Sequence, residues 1–156
     1  MITIEEFMTA KPYVLRETDS IDDARAIMTE KHIRHIPVTD SNNHVLGLIT
    51  QRDVLAATDP TSLQSDNKTS QQKETECNLS EIMIKNVRVI HKSDSLRQAA
   101  MYMQSHKYGC LPVVYDDCLV GIITDSDFVT IAINLLEQVE LSEEETGEEN
   151  LLDEIV

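Results

Sequence analysis

Apolar residues recur along this chain in a pattern that is laid down twice. Ile21, Ala24, Ile27 and Met28 fall at i, i+3, i+6 and i+7 behind Asp19-Ser20, which reads as an N-cap. Leu96, Ala99, Tyr102 and Met103 repeat that stripe behind Asp94-Ser95. Arg34–Thr39 and Val45–Ile49 read as strands joined by the polar turn Ser41-Asn42-Asn43-His44, and Cys110–Tyr115 and Leu119–Ile123 repeat them around Asp116-Asp117. A brief strand is expected ahead of each helix, at Tyr13–Leu15 and Val87–Ile90. A further helix opens after each hairpin, at Thr50 and at Thr124. Thr3 and Glu6, spaced as a capping box, open a helical turn ending near Met8. Pro37 and Pro112 have no N–H to give a ladder and are expected at a sheet edge or near a strand end. The order is β-α-β-β-α, built twice: an α+β (α/β-like) fold.

The two copies can be laid over one another. Gly47, Ile49, Thr50 and Asp53 match Gly121, Ile123, Thr124 and Asp127, 74 residues apart; upstream, Glu6/Glu81, Met8/Met83, Val14/Val89 and Pro37/Pro112 lie 75 apart. The one-residue change falls between Val38 and Val45, at the turn, as a structural repeat tolerates. Function is expected at the clefts between the copies. The organisation reads as a first motif at 1–56, a linker at 57–77, a second motif at 78–136 and an acidic tail at 137–156. The linker is almost wholly polar, with Leu63 its one large aliphatic, and cannot bury enough area to offset its ordering entropy, so it is expected to be mobile. Beyond Leu141 the Glu-rich end is expected to fray from helix into a solvated tail.

Charge narrows the function classes. The net charge is −15, of which Glu137–Val156 carries −9, with no Lys or Arg in that stretch. An acidic chain without a basic stripe is a poor partner for nucleic acid or an anionic membrane. Cys77, Cys110 and Cys118 are odd in number and form no C-x-x-C pair. With no apolar run near the ~20 residues of a bilayer span and no leader pattern, a cytoplasmic protein with reduced thiols is expected.

The h-P-V strand, the turn and a G-h-h-T-x-x-D opening a helix, all duplicated, resemble the CBS domain pair, or Bateman module. The likeness covers residues 1 to about 136. Within that family, I-R-H-I-P-V followed by G-L-I-T-Q-R-D is most similar to stand-alone bacterial acetoin-utilisation accessory proteins. The resemblance implies two repeats packed about a pseudo-twofold axis, a homodimer, and two clefts for adenosine-containing ligands. It implies that Asp53 and Asp127 bind ribose and that Thr50 and Thr124 face phosphate. It places adenine along Tyr13–Val14 and Arg88–Val89, with Ile33, Arg34 and His35, and Tyr108, Gly109 and Cys110, completing the walls.

Residue chemistry agrees with those roles and also offers another. An ionised carboxylate accepts from both hydroxyls of a cis-diol, and a helix start offers free N–H groups to phosphate. T-x-x-D is equally a capping-box variant, with Thr and Asp serving only the helix. Arg34, His35 and Arg52 correspond to Gly109, Cys110 and Ser126, so the first cleft is expected to hold a phosphorylated nucleotide better than the second. AMP or ADP is preferred over ATP, because each added phosphate needs more neutralisation. His32 and His35 lack a third ligand, so no metal is expected, and no motif suggests catalysis. The expected function is a regulatory adenosine-nucleotide sensor that signals to an unknown regulated protein. The alternative is a ligand-free dimerisation or interaction module.

Overall fold

The structure, a computed structural model, describes residues 1–58 and 77–153, the side chains of 147–153 excepted. Of the predicted linker only Ala57, Thr58 and Cys77 lie among them, and the last three tail residues lie outside. The chain forms two compact units, Met1–Ile123 and Thr124–Val156.

The first unit opens with a 3-10 turn at Ile4–Glu6 and continues through β1 (Thr9–Ala10), α1 (Ile21–Lys31), β2 (His35–Thr39), β3 (Val45–Thr50) and α2 (Gln51–Thr58). After the linker come α3 (Leu79–Ile82), β4 (Ile90–His91), α4 (Leu96–His106), β5 (Cys110–Tyr115) and β6 (Cys118–Thr124). The expected helices begin where their caps predict. Ser20 Oγ accepts from Asp23 N–H, Ser95 Oγ accepts from Gln98 N–H, and Thr3 and Glu6 form their capping box. Ile21, Ala24 and Met28 are buried, as are Leu96, Ala99 and Met103. The Asp116-Asp117 turn takes positive φ at both residues (47° and 62°), the twist that suits a two-residue hairpin. The longer turn of the first copy is accompanied by a register shift at Val38/Thr39, which absorbs the one-residue difference between the repeats.

Each repeat gives its leading segment to the other. One sheet runs β1-β6-β5-β4, with Thr9 opposite Ile122 and Ala10 opposite Gly121. The other is β2-β3, extended on one side by an antiparallel bridge from Leu48 to Ile84 and on the other by a parallel bridge from Val38 to Leu15. Both therefore read in one order: leading segment of the other repeat, second hairpin strand, first hairpin strand, own first strand. The helical turns are exchanged likewise. Ile4 N–H donates to Asp94 O and Leu79 N–H to Asp19 O, both at 3.0 Å. Ile4 and Leu79 are each 0% exposed, and Leu79 and Met83 sit in the core of the first repeat. Burial of such a side chain stabilises by about 1.5–3 kcal/mol.

Three expectations are corrected. Pro37 and Pro112 are not at an edge: β2 and β5 are inner strands, bonded on both sides. The first strands are also shorter than predicted, Leu15 alone in the first copy and Ile90–His91 in the second. The two corrections have one cause. Thr39 N–H donates to Leu15 O (3.0 Å) and Leu15 N–H to Pro37 O (3.1 Å). The next rung would run from the nitrogen of residue 37 to the Tyr13 carbonyl, and proline has no hydrogen there. Pro112 stands in the same relation to Arg88. The third correction concerns the second unit, where α5 (Asp125–Asp153) runs unbroken past Leu141 instead of fraying there.

Candidate ligand-binding site

The first Thr–Asp pair lies where β3 hands over to α2. Thr50 stands opposite His35 across the β2–β3 ladder, and Gln51 N–H donates to Arg34 O at 2.9 Å. Arg34, His35, Thr50, Arg52 and Asp53 are thereby gathered at the junction of the start of β2 with the start of α2. Arg34 and Arg52 are exposed, while His35, Thr50 and Asp53 are half-buried. On the far side of β2 is the Leu15 segment, whose unladdered residues Tyr13 and Val14 make no backbone hydrogen bond among the described residues. Two strand spacings, roughly 10 Å, separate that segment from β3. Ile33 is half-buried beside Arg34, and Lys31 Nζ lies 5.5 Å from the centre of the Tyr13 ring. The result is a place with cations and a threonine hydroxyl at one rim and unpaired backbone at the other. It could accept a planar base that hydrogen-bonds to backbone and a phosphate that takes charged donors.

Both readings of T-x-x-D can be examined in these bonds. Asp53 Oδ2 accepts from Thr50 N–H (2.9 Å) and Thr50 Oγ1–H (2.7 Å), and Asp53 N–H donates to Thr50 Oγ1 (3.2 Å). The capping box is complete. All of these bonds use Oδ2 or the threonine oxygen, and Oδ1 accepts none among the described residues. In the second unit, Asp127 Oδ2 accepts from Thr124 N–H (2.7 Å) and Thr124 Oγ1–H (3.2 Å). The return bond from Asp127 N–H is not made, so that cap is the looser of the two.

The other second-copy residues belong to the first unit. Arg88 and Val89 make no backbone hydrogen bonds among the described residues, matching Tyr13 and Val14. Arg88 Cζ lies 5.0 Å from the centre of the Tyr102 ring, which stacks with His106 (4.2 Å) and Tyr108 (5.7 Å). The leading-strand position has thus changed from an aromatic to a cation between copies: Tyr13 lies under Lys31 in one, and Arg88 over Tyr102 in the other. Sequence reasoning counted donors only at Gly109, Cys110 and Ser126 and missed this change, although the repeat alignment sets Arg88 against Tyr13. Gly109 is half-buried, and Cys110 is 3% exposed in a small cluster with Leu48 and Ile122.

The repeated glycines serve packing. A Cβ on Gly47 would meet Met83 Sδ at 2.6 Å and Ile84 O at 2.8 Å; one on Gly121 would meet Met8 Sδ at 2.5 Å and Thr9 O at 2.9 Å. At both positions the missing side chain lets a neighbouring backbone approach closely. A pocket of about 370 Å³ lies elsewhere, lined by His44, Val45, Val89, Val114 and Asp117, of which Val89 alone was a predicted site residue. Burial, and then the hydrogen bond to Glu81, push the Cys77 thiol up to about 11, so it is protonated and sluggish at neutral pH. No described helix is long and apolar enough to cross a membrane.

Reciprocal repeats with paired threonine–aspartate helix starts define a class, and comparison with known proteins gives the same one. Residues 4–59 and 79–134 each match the CBS domain, and the chain belongs to that family. The Vibrio cholerae protein described as an acetoin utilization protein (AcuB) is 47% identical in its crystal structure, with a TM-score of 0.75 over 90% of this chain and 96% of that one. CBSX2, solved in complex with AMP, is 30% identical with a TM-score of 0.72, over 86% of this chain and 98% of its own. A homoserine O-acetyltransferase of Methanocorpusculum labreanum is 36% identical over 124 residues, 79% of this chain but 23% of the enzyme. The chain spans about a quarter of the length of such acetyltransferases.

Proposed function

We propose that this protein is a regulatory module that binds an adenine nucleotide, AMP or ADP in preference to ATP, and passes the signal on by a change of shape or assembly. The observation that carries this reading is the opening beside β2. Proline ends the ladder there, leaving the backbone at Tyr13–Val14 free to pair with a base. Arg34, His35 and Arg52 gather around Thr50 and Asp53, whose Oδ1 is available to a ribose. The AMP-bound relative supports the ligand class. The first cleft is the stronger phosphate site, since Arg34, His35 and Arg52 stand where the second copy has Gly109, Cys110 and Ser126. No catalytic step is assigned, and a homodimer and a separate regulated protein complete the proposal.

Thermal unfolding with AMP, ADP and ATP tests it. A ligand at 100 times its Kd stabilises by about 2.7 kcal/mol. At ~2–4 °C per kcal/mol for a chain of this size, the midpoint rises by about 5–10 °C. Asp53→Asn keeps an oxygen for the cap and weakens the grip on the diol, so it is expected to remove most of that shift while lowering the unliganded midpoint by only about 2–4 °C, the equivalent of one cap. A second reading, the ligand-free interaction module, draws on the bonds from both carboxylates to their own helix starts. No shift with any of the three nucleotides would favour it.

A further inference from the structure

The two hairpin turns meet unequally, and a cavity stands on one side. Leu119 N–H donates to Asn43 O (2.9 Å), and Asn43 Nδ2–H donates to Leu119 O (2.8 Å), so the first turn is latched to the start of β6. Asp117 stands two residues before Leu119, as Asn43 stands two before Val45. The mirror pair, Val45 with Asp117, makes neither bond among the described residues. The reason is chemical: an ionised carboxylate has no hydrogen to give the Val45 carbonyl, whereas an amide has two. Leu119 is 6% exposed, while Val45 is left half-buried. Beside the unlatched turn lies the pocket of about 370 Å³, walled by Val45, Val89 and Val114, with His44 and Asp117 as its polar side chains.

Both of those polar side chains accept. Asp40 Oδ1 accepts from Asn42 N–H and His44 N–H, each at 2.9 Å, and Asp40 Oδ2 lies 3.1 Å from His44 Nδ1. These bonds, that from the His44 N–H foremost, hold the Asp40 carboxyl below the usual carboxylate range, so it is ionised and can only accept. The hydrogen between the two therefore belongs to Nδ1, and in neutral His44 the Nε2 atom is left as an acceptor. Asp117 is exposed in its turn and makes no side-chain hydrogen bond or ion pair among the described residues. No Lys or Arg lines the pocket.

We propose that His44 and Asp117 select the base of a nucleoside ligand that enters this pocket. A planar heterocycle bearing an exocyclic amino group is accepted between the valines, and one with a carbonyl in that place is rejected. An amino group brings two hydrogens to two acceptors; a carbonyl oxygen would face both and satisfy neither. The volume is adequate, since small-molecule sites begin at about 300 Å³. This selection rests on the reading of the clefts as adenine sites, Val89 being an expected residue of the second. His44 and Asp117 lie outside that reading, one from the turn of each repeat.

Calorimetric titration of the full chain carrying Asp53→Asn, which weakens the first cleft, tests this. Adenosine is expected to bind at least about tenfold tighter than inosine, which has a carbonyl where adenosine has its amino group. Asp117→Gly keeps a residue suited to the positive φ of 62°, and His44→Phe keeps a ring. Added singly, each should remove most of that preference while circular dichroism stays unchanged. Asp117→Asn supplies the donor that the turn lacks, so it is expected to close the latch onto Val45 O and weaken both nucleosides alike. Equal affinity for adenosine and inosine, or a preference that survives both Asp117→Gly and His44→Phe, would overturn the proposal. If AMP stabilises the wild-type chain while the Asp53→Asn chain binds neither nucleoside, the selection fails and the nucleotide reading stands. If no adenine compound binds the wild-type chain, both fail.

Discussion

At the scale of single residues, Gly47 and Gly121 show how a short motif can record a distant contact. The atoms that exclude a side chain from each lie on the leading segment of the other repeat, and one of the two is a backbone carbonyl that cannot turn aside. Gly47→Ala therefore forces the Ile84 strand outward. The expected cost is about 1–3 kcal/mol, which differential scanning calorimetry would read as a fall of very roughly 2–12 °C in the unfolding midpoint. Adding Met83→Ala should recover only part of it, since the carbonyl remains. The sequence shows that both copies have glycine here. It cannot show that Met83 is the reason, because the contact spans more than thirty residues. Thr50 and Asp53 were legible for the opposite reason: their bonds are local, three residues apart, and spacing alone predicts them.

Among elements, the short first strands are the instructive case. Apolar spacing suggested strands at 13–15 and 87–90, and proline suggested an edge, or a position near a strand end, for Pro37 in β2 and Pro112 in β5. Each inference was sound for a strand considered alone. The conflict is settled by geometry between strands: an inner strand can hold a proline if the rung that needs its N–H is simply not made, and the neighbour then leaves the sheet one residue on. Pro37→Ala restores the donor. Hydrogen exchange followed by NMR should find the new amide at 37 protected by at least about 100-fold, as a rung to Tyr13 O forms. A freely exchanging amide would show that something other than the missing hydrogen ends the ladder. The helices were easier to foresee, since Ser20, Ser95 and the apolar stripes fix their starts and faces locally. The length of α5 was not, because acid-rich sequence and helix are not exclusive.

For the whole molecule, duplication was plain in the sequence, but exchange was not, because matching residues look the same whether each leading segment stays with its own repeat or crosses to the other. The bonds from Ile4 to Asp94 and from Leu79 to Asp19 show that it crosses. Separate chains of residues 1–76 and 77–156 would each lack a buried helical turn and a bordering strand. Neither should show a cooperative thermal transition on its own, and mixing them in equal amounts should restore one, visible by circular dichroism at 222 nm.

The crossing also speaks to ancestry. A protein holding just one such unit would carry both an arm and the socket that an identical arm fills, so it would be finished only by meeting its twin. Fusing two twins end to end changes nothing in the mutual embrace. Such a fusion would leave each half free to differ, and here one half carries Arg34 and Arg52 where the other has Gly109 and Ser126.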